Sequence, residues 1–238
     1  MENCIRFVII LSLLLVGVQS TKADLYNGSL SYPTGITAPS DGNINAWAST
    51  STSITWVVTQ NANKTWHYSY TFTVPEKDIS HFILEVSDNF TSDDFLGFSN
   101  PLLLASVKTD GSWIAYDPAV YNSSSNGNSN PGMPGDIYGI KFELKDIDST
   151  VWHFEFDSTK QPMWGDFYAV DGKKPADPTF CDCEPSIIPY AYNMGFGNNL
   201  QISEGHIAVP DTVVPLPGAI LLGTLGILVS GIKLRKFA

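Results

Sequence analysis

Apolar and polar residues alternate with a period of two through much of the chain. Trp66, Tyr68, Tyr70, Phe72 and Val74 fall on one side of an extended backbone, with His67, Ser69, Thr71 and Thr73 on the other. That is the pattern of a strand with one buried face. The same alternation sets Phe82, Leu84 and Val86 against Ile83 and Glu85. It sets Tyr138, Ile140, Phe142 and Leu144 against Gly139, Lys141 and Glu143, and Trp152, Phe154 and Phe156 against His153 and Glu155. Shorter apolar runs at 54–59, 102–108, 165–170, 200–203 and 206–209 add further strand candidates. Asp110-Gly111, Asp171-Gly172 and Asn61-Ala62-Asn63 are turn signals. No body segment holds a helical period over more than about three turns.

Many short strands at regular spacing predict an all-β fold, an antiparallel β-sandwich resembling a jelly roll, over residues 46–213. Residues 143–150 lie between two strong strands and read as a hairpin connection. Residues 24–45, with Gly28, Pro33, Gly35, Pro39 and Gly42, read as a loose N-terminal arm. The polar run 122–135 reads as a long surface loop unable to bury a core face.

Composition sharpens this picture. Aromatics make up 12% of the 238 residues, enough apolar surface to exclude a disordered chain. The formal charge of −11 joins basic-tipped ends of +1 and +3 to a body of −15, residues 24–213, whose only cations are lysines. An acidic, arginine-free body excludes nucleic acid as a partner and argues against nucleotide or sugar-phosphate sites, for which arginine is the usual bidentate fork.

The two ends are read as targeting segments. In residues 1–23, Arg6 precedes an apolar run from Phe7 to Val18 and a small-x-small site at Thr21-Lys22-Ala23, the layout of a secretory signal peptide. From Val213 to Ile232 the chain is uncharged, and Lys233, Arg235 and Lys236 follow. Its helix-competent part, beginning at Gly218, would be about 22 Å long as an α-helix, short for a hydrocarbon core of about 30 Å. The cations stand where positive-inside anchoring places them.

The tail Val214-Pro215-Leu216-Pro217-Gly218-Ala219, followed by an apolar glycine-rich helix and Lys233-Leu234-Arg235-Lys236, resembles a PEP-CTERM sorting domain over residues 214–238. Leu216 stands where the commoner motif has Glu, so the tail is similar to the Val-Pro-Leu-Pro variant. The body segments 69–90, 135–143 and 164–173 also resemble uncharacterised PEP-CTERM proteins, a likeness that carries no activity with it. The tail resemblance implies export from a Gram-negative bacterium through signal peptidase and the general secretion machinery. It implies transient residence in the inner membrane and recognition by an exosortase-type enzyme. The destination would be the cell surface or an extracellular, biofilm-type matrix rich in exopolysaccharide. An uncleaved membrane anchor and a GPI-type signal are the competing readings of the tail.

Candidate chemistry in the body is sparse. There is no P-loop, G-x-S-x-G or G-x-G-x-x-G, and His67, His81, His153 and His206 show no metal-ligand spacing. They read as polar strand residues. With Cys4 in the signal peptide, Cys181 and Cys183 read as a local disulfide, with intermolecular pairing or free thiols as alternatives. Asp146 with Asp148, and Glu155 with Asp157, would each share a face of an extended chain. Such pairs suit a structural Ca²⁺ ion better than glycoside hydrolysis, and a solvated strand face better than either. Trp113, Tyr116, Trp164 and Tyr168 lie near turns and are candidates for stacking on sugar rings. The expected function is therefore a non-enzymatic surface or matrix protein with exopolysaccharide as ligand and no cofactor beyond structural Ca²⁺. A secreted carbohydrate hydrolase using a carboxylate pair and a permanently anchored structural domain are the alternatives.

Overall fold

The structure is a computed structural model that describes residues 26–39, 45–99, 118–124, 130–143, 149–171, 188–198 and 203–211. The expected signal peptide, the expected sorting tail with its basic end, Cys181, Cys183, Asp146, Asp148, Trp113, Tyr116 and the strand candidate 102–108 lie outside the described residues. Among the described residues no helix is long and apolar enough to cross a membrane.

The described chain is all-β and antiparallel, with strands β1 (Gly28–Ser31), β2 (Ile36–Thr37), β3 (Ser53–Gln60), β4 (Trp66–Thr73), β5 (Ile79–Glu85), β6 (Phe95–Ser99) and β7 (Ala119–Tyr121). They are followed by β8 (Ile137–Glu143), β9 (Val151–Ser158), β10 (Gln161–Gly165), β11 (Phe167–Asp171), β12 (Tyr190–Asn193) and β13 (Ile207–Asp211). A five-stranded sheet runs β1-β3-β4-β9-β6 and a six-stranded sheet runs β2-β12-β11-β5-β8-β7; β10 and β13 form a separate two-stranded ribbon. The two larger sheets share one aromatic core, the arrangement of a sandwich. The ribbon's β13 packs against β1, β3 and β5 and so touches both sheets.

The period-two pattern explains the core directly. Trp66, Tyr68, Tyr70 and Phe72 of β4 and Trp152, Phe154 and Phe156 of β9 all point inward, because β4 and β9 pair in register from Trp66 opposite Ser158 to Thr73 opposite Val151. Phe82, Phe142 and Phe167 answer from the other sheet. Phe82 stacks on Phe167 with centroids 5.3 Å apart, and Phe142 meets Phe154 at 4.7 Å. Tyr70 is fully buried and its hydroxyl donates to the Ala208 carbonyl at 2.7 Å, tying the ribbon to the core. Removing that hydroxyl leaves a buried acceptor without this donor, so Tyr70→Phe should cost about 1–2 kcal/mol, read as a lower midpoint in urea unfolding with unchanged m-value.

Several expectations are corrected. Residues 143–150 are not a hairpin connection, because β8 lies in the six-stranded sheet and β9 in the five-stranded one. The chain crosses between layers there, as it does from β4 to β5. Trp47, fully buried, donates from its indole N–H to the Glu76 carbonyl and pins the β4–β5 crossing. Residues 24–45 are not simply a loose arm, for β1 pairs with β3 and β2 with β12. Gly28 allows this, since a Cβ there would sit 2.6 Å from the Trp56 ring. The single strand expected at 165–170 is divided at Asp166 between the ribbon and the six-stranded sheet.

The largest correction concerns 122–135. Asn130 and Met133 are buried, and residues 130–135 cap the outer face of the six-stranded sheet. A second core lies there, built from Ile83, Tyr121, Ile137, Tyr168, Val170 and Tyr190. The Tyr168 hydroxyl donates to the Pro131 carbonyl, and Gly132 lies so close to Tyr190 that a Cβ would fall 2.1 Å from its ring. Strands β5 and β8 are consequently buried on both faces. That places Lys141 in the interior, neutralised by Glu143 at 2.6 Å.

Candidate functional site

The outer face of the five-stranded sheet remains open, and it carries the polar half of the β4 and β9 alternation. Register places His67 opposite Asp157, Ser69 opposite Glu155 and Thr71 opposite His153. A continuous ladder results. His67 Nδ1 lies 2.7 Å from Asp157 Oδ1, His67 Nε2 lies 3.9 Å from Glu155 Oε2, and His153 Nε2 lies 2.9 Å from Glu155 Oε1. A carboxylate offers only acceptors, so each imidazole donates to it. His153 Nδ1 in turn pairs with the Thr71 hydroxyl at 2.9 Å. The four ionisable side chains are between 33% and 40% exposed, open to a ligand yet already partnered. Thr55, Val57 and Thr59 of β3 and Leu96 of β6 extend the face on either side.

Glu155 and Asp157 thus share one face, as their spacing implies, but each is engaged by a histidine. The histidines, read from sequence as bland strand residues, are integral to this face. Cross-strand register creates the pairing, and no local motif could signal it. Among the described residues, no group of three His, Cys, Asp or Glu side chains is placed to hold a metal ion.

The aromatic candidates separate. Tyr168 is fully buried in the second core, so it cannot stack on an exposed sugar. Burial also raises its phenol far above the usual range. Trp164 is half-buried and packs between Tyr26 at 5.3 Å and Trp56 at 6.4 Å.

A second polar cluster, unanticipated from the sequence, lies where the ribbon meets the six-stranded sheet. Asp166 Oδ1 accepts from Asn193 Nδ2 at 2.6 Å and faces His206 Nδ1 at 3.0 Å, while its Oδ2 accepts from the Gly197 N–H at 2.7 Å. Asn193 Oδ1 accepts from the Phe167 N–H, and its Nδ2 also donates to the Gly205 carbonyl. Glu85 Oε2 accepts from the Asp166 N–H at 2.6 Å, and the Asp166 carbonyl accepts from the Glu85 N–H. Asp166, Asn193 and His206 are all buried. The hydrogen bond from Asp166 raises the His206 imidazole, against the effect of burial. Burial, then the Asp166 charge, pushes the Glu85 carboxyl up to about 7. The only local signal in the sequence is glycine beside polar residues, at Gly165-Asp166 and Gly205-His206. Gly195 is needed because a Cβ there would lie 2.5 Å from His206 Nε2.

No protein-family model, curated protein or solved structure matches this chain.

Proposed function

We propose that this chain is an exported, non-enzymatic cell-surface or extracellular matrix protein of a Gram-negative bacterium. Its C-terminal tail is sorted by an exosortase-type enzyme, and its sandwich binds exopolysaccharide. The same reading takes the sandwich as jelly-roll-like, flanked by a signal helix and a short C-terminal transmembrane helix. The observation that carries the non-enzymatic part is the ladder on the open sheet face. Glycoside hydrolysis needs one carboxyl free to protonate a leaving group and another free to attack or to activate water. Glu155 and Asp157 are instead held by His153 and His67. A row of hydroxyls, imidazoles and carboxylates on an extended sheet suits hydrogen bonding along a polysaccharide chain. The acidic body favours a neutral polysaccharide, or an anionic one bridged by Ca²⁺.

One experiment tests both parts. Protein recovered from its native host is weighed intact, then incubated with host exopolysaccharide while binding and reducing-sugar release are followed. The expected result is an N-terminus near Asp24, loss of the tail around Pro215 to Ala219, and binding without sugar release. Retention of Phe237-Ala238 would overturn the sorting claim. Sugar release abolished by Glu155→Gln or Asp157→Asn would overturn the non-enzymatic one.

A further inference from the structure

We propose that Glu85, Asp166, Asn193 and His206 form a pH-sensitive clasp that fastens the β10–β13 ribbon to the six-stranded sheet and loosens as pH rises through neutrality. The geometry is that of a fastener. Glu85 comes from the end of β5, Asp166 from the bend between β10 and β11, Asn193 from the end of β12, and His206 from the residue before β13. Four chain segments, with the Gly195–Gly197 turn continuing from Asn193, are hydrogen-bonded through the two Asp166 oxygens and their neighbours. Elsewhere, β13 is tied to the rest of the fold by the Tyr70 hydroxyl donating to the Ala208 carbonyl and the Ser87 N–H donating to the Pro210 carbonyl at 3.3 Å.

The charges facing the clasp are unbalanced in one direction. Asp166 and His206 oppose one another, and Asp211 at the far end of β13 acts on Glu85 with the same sign as Asp166. The neighbours of Glu85 on β8 and β12 add no charge, since Gly139 lies opposite it and Asn193 is an amide. With Glu85 protonated and His206 protonated, Glu85, Asp166 and His206 sum to zero. As pH rises, Glu85 loses its proton near 7 and His206 loses its own above the ordinary imidazole range. The same three groups then carry two uncompensated negative charges in a buried site, and separation of the ribbon from the sheet relieves them. Loosening would centre on the ribbon, whose Ile207, Ala208 and Val209 are the part of the shared core that lies beside the clasp.

The test is residue-resolved amide hydrogen exchange on the full chain between pH 6 and 9, corrected for intrinsic base catalysis. The β3–β4 pair serves as internal reference. The expected result is that protection of the β13 amides falls relative to β3–β4 by up to about tenfold per pH unit as pH rises toward 7, and that Glu85→Gln lessens the fall, leaving the part due to His206. A carboxyl ¹³C titration of wild-type protein needs no variant and should place the Glu85 midpoint near 7. The clasp is overturned if β13 protection follows β3–β4 across the whole range. It is also overturned if Glu85→Gln leaves the fall undiminished, or if Glu85 titrates in the ordinary carboxylate range.

Discussion

Phe82→Ala should lower the unfolding free energy by about 3–5 kcal/mol, the range for deleting a fully buried aromatic ring. Phe82 stacks against Phe167 within its own sheet and meets Phe72, Trp152 and Phe154 from the opposite one. Truncation therefore removes contacts in both layers at once. The surrounding rings are held by their own stacks, so the cavity can collapse only in part. Phe82→Leu, which refills most of the volume, should recover more than half of the loss. Urea unfolding of both variants beside the wild type checks this. A loss below about 1 kcal/mol for Phe82→Ala would mean that the two sheets do not share this core.

The second large effect is in the dependence of stability on pH, where two buried groups act in opposite directions. Burial, then the charge of Lys141, lowers His81 to about 4 despite its contact with Asn130. Its folded value lies below its unfolded one, so its contribution is full above pH 6.5 and is lost as pH falls toward 4. Glu85 is raised from 4.5 to about 7. Its contribution is full below pH 4.5 and is lost as pH rises through 7. Each shift is worth up to about 3 kcal/mol. Between pH 4.5 and 6.5 the two nearly cancel, so wild-type stability should be nearly flat there. Glu85→Gln should uncover the acid loss from His81, and His81→Gln should uncover the loss toward pH 7 from Glu85. His206 adds to the latter, because its folded value is also raised. Unfolding free energies across pH 4–8 for the three proteins would show this. Parallel curves for wild type and Glu85→Gln would refute the opposition.

The fold was legible wherever a strand has one wet face. β4 and β9 could be read with their inward sides because their alternation is uninterrupted. β5 and β8 were legible as strands too, but not the burial of their second face, since Ile83, Gly139 and Lys141 read as a wet side until a second core forms outside them. Glycine-rich and polar segments such as 28–31 and 130–135 misled for a related reason. Close approach to an aromatic ring demands a residue without a side chain, and that looks like a loop in sequence.

By itself the sequence determined the all-β class, the strands with one wet face, and the acidic and arginine-free character of the body. These depend on short-range pattern and composition, which a linear chain expresses directly. Only the tertiary structure decided that β8 and β9 belong to different sheets and that a second core lies beneath Asn130 and Met133. It also decided that Glu155 and Asp157 face histidines, and that Glu85, Asp166, Asn193 and His206 meet. Each of those outcomes depends on which strand lies beside which, a choice made by packing between residues dozens to more than a hundred positions apart, with no local trace of their partners.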